Sequence, residues 1–126
     1  MKILSNLVIG ALLFTPIAYS GESHQYEGAW NINMVTPKGK DRKGLATLTS
    51  QGGTWDIEHT NVKNPCKGRP APVYIIEATS DALVFEVRKS ESLRGCNDFT
   101  ATLKPVSENT LEGESDDGRK IKLMKK

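Results

Sequence analysis

The feature that most constrains the fold is a series of short runs in which apolar and polar residues alternate, each run ending at a turn signal. After residue 20, no stretch repeats apolar residues at helical spacing. Runs rich in Val, Ile, Thr and aromatic residues recur instead, separated by Gly, Pro, Asn, Asp and Ser. The pattern therefore predicts a chain of β-strands. The predicted strands are 26–36, 44–50, 54–60, 73–79, 83–88, 98–105, 110–114 and 119–124.

Short connections between these strands favour pairing of sequence neighbours, which is an antiparallel up-and-down meander. Eight such strands can close on themselves, so we expect an all-β, small, closed or nearly closed barrel, with a two-sheet sandwich as the alternative. The residues assigned to the interior are mostly large, which predicts a solidly packed barrel and binding at its surface. They are Trp30, Ile32, Met34, Leu48, Trp55, Ile57, Leu83, Phe85, Val87, Phe99, Leu103, Leu111, Ile121 and Leu123.

The first twenty residues have the pattern of a cleavable secretory signal. Lys2 precedes an apolar run from Ile3 to Ile17, and small residues follow up to Ser20. A membrane anchor is the alternative, but Pro16 and the polar residues in the run argue against a spanning helix. We expect a signal peptide at 1–20, a single domain at 21–126, and a bacterial periplasmic or secreted location.

The mature chain contains two cysteines, Cys66 and Cys96. In an oxidising compartment such a pair is expected to form a disulfide. Redox-active thiols are the alternative, but the pair lacks the Cys-x-x-Cys spacing that lowers a thiol pKa.

Gly28 and Trp30 form a Gly-x-Trp motif at the start of the first predicted strand. The motif resembles the opening motif of the lipocalin and avidin group, the calycin-type small β-barrels. The resemblance implies a barrel in which Gly28 permits tight strand curvature and Trp30 plugs the closed end. It covers this motif and the strand number, and the mature chain lacks the usual terminal helix of a lipocalin. It implies a fold and no particular ligand.

In a meander, the connections after the first, third, fifth and seventh strands lie at one end of the barrel, which we call the odd rim. Both cysteines fall in these connections, as do nine basic residues. We expect the basic residues to bind a partner; they are Lys38, Lys40, Arg42, Lys43, Lys63, Lys67, Arg69, Lys89 and Arg94. The connections at the opposite end, the even end, are uncharged or acidic, so the odd rim should carry a positive field. The alternative is that these lysines and arginines only keep the surface solvated.

Catalysis finds little support in the sequence. The histidines are His24, in the new N-terminal segment expected to be mobile, and His59, so we expect no catalytic site, metal or cofactor. Nucleic acid and membrane insertion are not expected either, and we expect a monomer.

The resulting hypothesis is an exported, non-enzymatic binding module whose basic rim binds a protein or an anionic envelope component. An inhibitor or immunity protein is its most concrete form. A lipocalin-like carrier of a small hydrophobic ligand is the alternative, and a hydrolase that depends on His59 is the third hypothesis.

Overall fold

The chain forms a closed barrel of eight antiparallel strands, each paired with its neighbours in sequence. The structure, a computed structural model, describes residues 23–58, 64–66 and 68–126. The strands are β1 (Gly28–Val35), β2 (Asp41–Leu48), β3 (Gly52–Ile57), β4 (Ala71–Ala78), β5 (Leu83–Val87), β6 (Phe99–Ser107), β7 (Thr110–Ser115) and β8 (Lys120–Lys125). The predicted fold class is confirmed, and the sandwich is excluded because one sheet closes on itself.

The predicted signal peptide at 1–20 and the residues His59, Lys63 and Lys67 lie outside the described residues. In the part of the chain that is described, no helix has the length and apolar character needed to cross a membrane.

Pairing of β1 with β8 closes the barrel. Its antiparallel register runs from Trp30 opposite Lys125 to Val35 opposite Lys120. Because every strand pairs on both sides, the described barrel has no free sheet edge, and side chains alternate between interior and solvent along each strand.

The interior is built from the residues that the alternation predicts. All fourteen predicted interior side chains are buried. A row of opposed positions runs across three strand pairs, with Trp30 opposite Ala46, Ala46 opposite Trp55, and Trp55 opposite Ala71. Alternation of large and small side chains lets two indoles fit across a narrow barrel.

The pair Gly52–Gly53 has a different role from the one predicted. The predicted strands end at residue 50 and resume at residue 54, which assigns both glycines to a hairpin turn with Gln51. They belong instead to β3, and the Thr49 amide N closes the turn by donating to the Gly52 carbonyl at 2.9 Å. A Cβ at Gly53 would lie 1.9 Å from the Thr47 carbonyl oxygen, and one at Gly52 would lie 2.2 Å from the Val73 carbonyl oxygen. The glycines therefore allow the backbones of adjacent strands to approach closely where the sheet curves.

The N-terminal segment covers the even end. The Trp30 indole donates to the Tyr26 carbonyl oxygen at 2.9 Å, and the Tyr26 hydroxyl donates to the Thr79 carbonyl oxygen. His24 lies with its Nε2 2.7 Å from the Thr49 carbonyl oxygen. Tyr26 and Trp30 are both buried and plug this end of the barrel.

Replacing Gly53 by alanine tests the close approach of the strands. Gly53 and Gly39 both have positive φ, at 143° and 83°, but a Cβ at Gly39 meets no atom within 4 Å. We expect Gly39→Ala to lower the free energy of unfolding by about 1 kcal/mol from backbone strain. Gly53→Ala should lower it by about 3 kcal/mol, because the clash with Thr47 adds to that strain. Urea denaturation measures both values, and equal effects would refute a special role for Gly53.

Candidate functional site

The disulfide confirms the predicted convergence of the odd connections. Cys66 lies between β3 and β4 and Cys96 between β5 and β6, and they are bonded with their Cα atoms 5.7 Å apart. The bond joins two loops that flank the opening of the barrel.

A cavity of about 190 Å³, which we call the mouth pocket, opens at the odd rim. The interior side chains at its base, Met34, Trp55 and Ile57, are buried, as expected of a solidly packed barrel. The residues that line the pocket are Met34, Thr36, Arg42, Trp55, Ile57, Asn64, Cys66, Gly68, Arg69, Lys89, Gly95, Cys96, Asn97 and Arg119. Among these described residues there is no Asp or Glu. Met34, Trp55 and Ile57 form an apolar wall on the side of the core, and the cations lie at the opening.

The four cations of the mouth pocket lie at or next to the ends of strands. Arg42, Arg69 and Arg119 each lie two residues before an inward-facing residue of β2, β4 and β8, and Lys89 lies two residues after the inward Val87 of β5. Side chains two residues apart in a strand share a face. Arg42 therefore lies on the inward-facing side of β2, whereas Arg69, Lys89 and Arg119 lie just outside the strand ends, and all four line the same opening.

Two of these cations lie on the aromatic core. The Arg119 guanidinium carbon is 5.1 Å, and the Lys89 Nζ 5.6 Å, from the centre of the Phe99 ring. Arg119 Nε also lies 3.2 Å from an Asp117 carboxylate oxygen. Cation–π contact and this ion pair restrict both side chains at the opening.

Arg42 and Arg69 have no carboxylate partner among the described residues. Arg42 donates from Nη1 to the Asp41 carbonyl oxygen at 3.0 Å, and Arg69 donates from Nε to the Pro65 carbonyl oxygen at 2.9 Å. Neither Nη atom of Arg69 bonds to a described residue. These guanidinium groups therefore retain donors for an anion.

Trp55 forms the deep wall of the mouth pocket. It is 1% exposed, and it lies one inward position further from the odd rim than Ile57. Its ring packs 5.7 Å from that of Phe85 and 5.6 Å from that of Phe99, between centroids. Its buried Nε1–H has no acceptor among the described residues. An unpaired buried donor costs about 1–3 kcal/mol.

The predicted rim residues divide into two groups. Arg42, Arg69 and Lys89 line the mouth pocket, whereas the others in the described part are exposed around it: Lys38, Lys40, Lys43 and Arg94. Lys43 donates to the Asn33 side-chain oxygen at 3.1 Å on the outer wall. Lys63 and Lys67 lie outside the described residues. Arg119 was not among the predicted residues, although extending the inward alternation of β8 by one step would have found it.

The even end is not wholly uncharged or acidic, as the sequence analysis supposed. Lys125 and Lys126 end β8 there, and Lys125 Nζ donates to the Glu27 carbonyl oxygen at 2.8 Å and lies 4.8 Å from the centre of the Trp30 ring. The prediction considered the connections and overlooked the end of the last strand. The difference in charge between the two ends is consequently smaller than expected.

A polar cluster on the outer wall fixes the short 3-10 helix Lys89–Glu91 that carries Lys89. The Tyr74 hydroxyl donates to Glu91 at 2.7 Å, and Arg88 pairs with Glu91 at 3.1 Å and with Glu86 at 2.8 Å. The hydrogen bond from Tyr74, followed by that from Arg88, holds the pKa of Glu91 below its ordinary value. The hydrogen bond to Glu91 raises the pKa of Tyr74.

No group of three or more His, Cys, Asp or Glu residues within the described ranges is arranged to hold a metal ion.

Comparison with known proteins supports the fold. No protein-family model matches the chain, and no curated protein matches it in sequence. Among solved structures it is similar to a de novo designed fluorescence-activating β-barrel, with 16% identity, a TM-score of 0.53, and coverage of 81% of this chain and 94% of the designed one. It is also similar to a redesigned β-barrel, with 16% identity, a TM-score of 0.50, and coverage of 81% of this chain and 92% of that one. At this identity the likeness defines the class, a small closed eight-stranded β-barrel.

The substitution Tyr74→Phe tests the outer cluster. Removing the hydroxyl takes away the largest cause of the lowered pKa of Glu91, so this pKa should rise towards its ordinary value. Glu91 stabilises the fold at pH values above its unfolded pKa, and this contribution is lost as pH falls through its lowered folded pKa. The stability difference between the wild type and Tyr74→Phe should therefore shrink in that acidic range. NMR titration of the Glu91 carboxyl measures the shift, and an unchanged pKa would contradict the assignment.

Replacing both cysteines by serine tests the contribution of the disulfide. The bond spans 30 residues, for which the chain-entropy model gives about 3–4 kcal/mol. Thermal or urea denaturation of Cys66→Ser with Cys96→Ser should show a loss of that size. The wild type in reductant serves as the matched control and should lose the same amount. A double variant as stable as the oxidised protein would disprove the prediction.

Proposed function

We propose that this chain is an exported, non-enzymatic binding module that takes an anionic group of its partner into the mouth pocket. The observation that carries the proposal is the placement of Arg42, Arg69, Lys89 and Arg119 around one opening, with no acid in its described lining. Converging cations at a concave, low-dielectric opening focus a positive potential and attract anions. Lys38, Lys40 and Arg94 extend this field over the surrounding loops.

Export to the bacterial periplasm or exterior rests on the signal pattern of residues 1–20 and is supported by the use of a disulfide. The closed barrel and the plugging position of Trp30 support a calycin-type, lipocalin-like or avidin-like barrel. The designed barrel to which the chain is similar is described as fluorescence-activating, an example of a function built into this architecture.

The most concrete form is an inhibitor or immunity protein that covers an acidic surface of an envelope enzyme. The disulfide holds the Cys66 loop and Arg69 beside the opening, which lowers the entropy lost when the loop contacts a partner. A restrained loop that presents a cation next to a pocket suits an acidic side chain of another protein.

Charge reversal at the mouth tests this function, with fluorescently labelled polyglutamate as a probe for an acidic protein segment. Anisotropy should show wild-type binding that weakens as salt rises. Arg42→Glu with Arg69→Glu should weaken it at least about tenfold, because two attractive contacts become repulsive.

The matched control is Lys104→Glu with Lys126→Glu, which changes net charge equally on the outer wall and at the even end. This control should stay within about twofold of the wild type. Salt-insensitive binding, or an equal loss in the control, would refute a role for the mouth. Binding to phosphatidylglycerol vesicles in place of polyglutamate would favour an anionic envelope component over a protein partner.

A carrier of a small hydrophobic ligand is the second candidate. It is favoured by the apolar lower wall of the mouth pocket, formed by Met34, Trp55 and Ile57. Quenching of tryptophan fluorescence by neutral apolar compounds would support it, and the Arg42 and Arg69 variants should not alter that quenching.

A further inference from the structure

We propose that the mouth pocket binds the terminal phosphate of a phosphate monoester, with Arg42 and Arg69 on the phosphate and the rest of the ligand outside the barrel. This inference rests on the proposed function, because it requires the mouth to bind anions. It adds the identity of the anionic group and the direction from which that group enters.

The charge at the opening matches a doubly charged anion. Arg119 is paired with Asp117, whereas Arg42 and Arg69 have no carboxylate partner among the described residues. A phosphate monoester carries a charge of about −1.5 to −2 at neutral pH, roughly twice that of a carboxylate. One phosphate therefore neutralises both of these guanidinium groups, and one carboxylate does not. Guanidinium groups also match the geometry of phosphate oxygens in bidentate hydrogen bonds.

The neutral polar side chains of the lining also favour a ligand with many acceptor oxygens. Thr36 and Asn64 both line the mouth pocket. The Thr36 Oγ1 accepts from the Lys40 amide at 3.0 Å, and the Asn64 Oδ1 accepts from the Cys66 amide at 2.9 Å. The Thr36 hydroxyl hydrogen and the Asn64 amino group donate to no described residue, so these side chains add donors to those of the arginines. Together they exceed the roughly four lone-pair sites of a carboxylate, whereas a phosphate monoester presents three strong acceptor oxygens.

The base of the pocket determines how the ligand enters. Met34, Trp55 and Ile57 line the pocket and belong to the buried core. A charged group among them would lose its hydration without replacement partners, so the phosphate stays beside the cations at the opening. A monoester phosphate ends its chain, so the rest of the ligand leaves through the rim. A diester phosphate continues on two sides, and both chains would have to turn back through the same opening.

The first experiment is an NMR titration of the full mature protein with methyl phosphate, methyl sulfate and acetate, at low salt and about pH 8, where the phosphate is doubly charged. The amide signals of Gly68 and Gly95, which line the mouth pocket, should shift. The indole signal of Trp30, at the even end, should not. Methyl phosphate should bind at least about tenfold more tightly than acetate, because it contacts both arginines. Methyl sulfate has the same number of terminal oxygens and half the charge, so its affinity should lie between the two.

Arginine variants assign the binding to the opening. Arg42→Gln with Arg69→Gln should weaken methyl phosphate about tenfold and bring it within about twofold of acetate. Arg42→Lys with Arg69→Lys keeps the charge but loses the bidentate geometry, so it should weaken methyl phosphate about threefold. The matched control, Lys104→Gln with Lys126→Gln, removes equal charge away from the mouth and should stay within about twofold of the wild type.

Vesicles distinguish a lipid headgroup from a soluble ligand. Phosphatidylcholine vesicles are prepared with phosphatidate, whose phosphate is a monoester, or with phosphatidylglycerol, whose phosphate is a diester. Cosedimentation at least about fivefold greater with phosphatidate would support the proposal with a membrane lipid as the source of the phosphate. Tight binding of methyl phosphate without cosedimentation would support it with a soluble phosphate monoester as the source.

Equal affinity of methyl phosphate and acetate in the wild type would overturn the choice of a phosphate. Cosedimentation with phosphatidylglycerol as strong as with phosphatidate would overturn the choice of a monoester. If methyl phosphate fails either test but polyglutamate still binds in a manner that depends on Arg42 and Arg69, only this inference fails. If neither probe depends on these arginines, the proposed function fails as well.

Discussion

The antiparallel meander, closed by the pairing of β1 with β8, is the constraint on which the other features depend. The meander assigns each connection to one end or the other, and the sheet closes with Trp30 opposite Lys125 and Val35 opposite Lys120. The pairing of β4 with β5 brings Cys66 within bonding distance of Cys96 although they belong to different hairpins. The closed meander also gathers cations from four strand ends around one opening, which no local sequence pattern could accomplish.

The two ends of the barrel carry chemically different residues. At the even end, backbone carbonyl groups accept from Tyr26 and Trp30, so large side chains seal the interior with their polar atoms satisfied. At the odd rim, Arg42, Arg69 and other cations, which cannot be buried without partners, border an open pocket above the buried core. The pocket forms because the buried apolar residues end short of the odd rim, where cationic residues take their place.

The sequence predicted the strands, the interior side chains and the disulfide because each depends on a strong periodicity or on compartment chemistry. It did not predict the mouth pocket, because a cavity depends on how side chains such as Trp55 pack in three dimensions. Gly52 and Gly53 were assigned to a turn because a glycine needed for close approach of neighbouring strands looks the same in a sequence as a glycine needed for a positive φ angle. Arg119 was missed because the basic residues were sought in loops, although the alternation of β8 already assigned it to the inward face.

The position of the end of β8 determines from which end of the barrel a fused domain or a surface linkage would extend. Lys126 donates its amide to the Ala29 carbonyl oxygen, so the C-terminal residue is hydrogen-bonded beside the first strand at the sealed end. The incoming chain enters β1 at Gly28 from that same side. A tag, bead or fused domain joined at either terminus would therefore hang from the base of the barrel, and the arginine-bordered opening would face outward into solution.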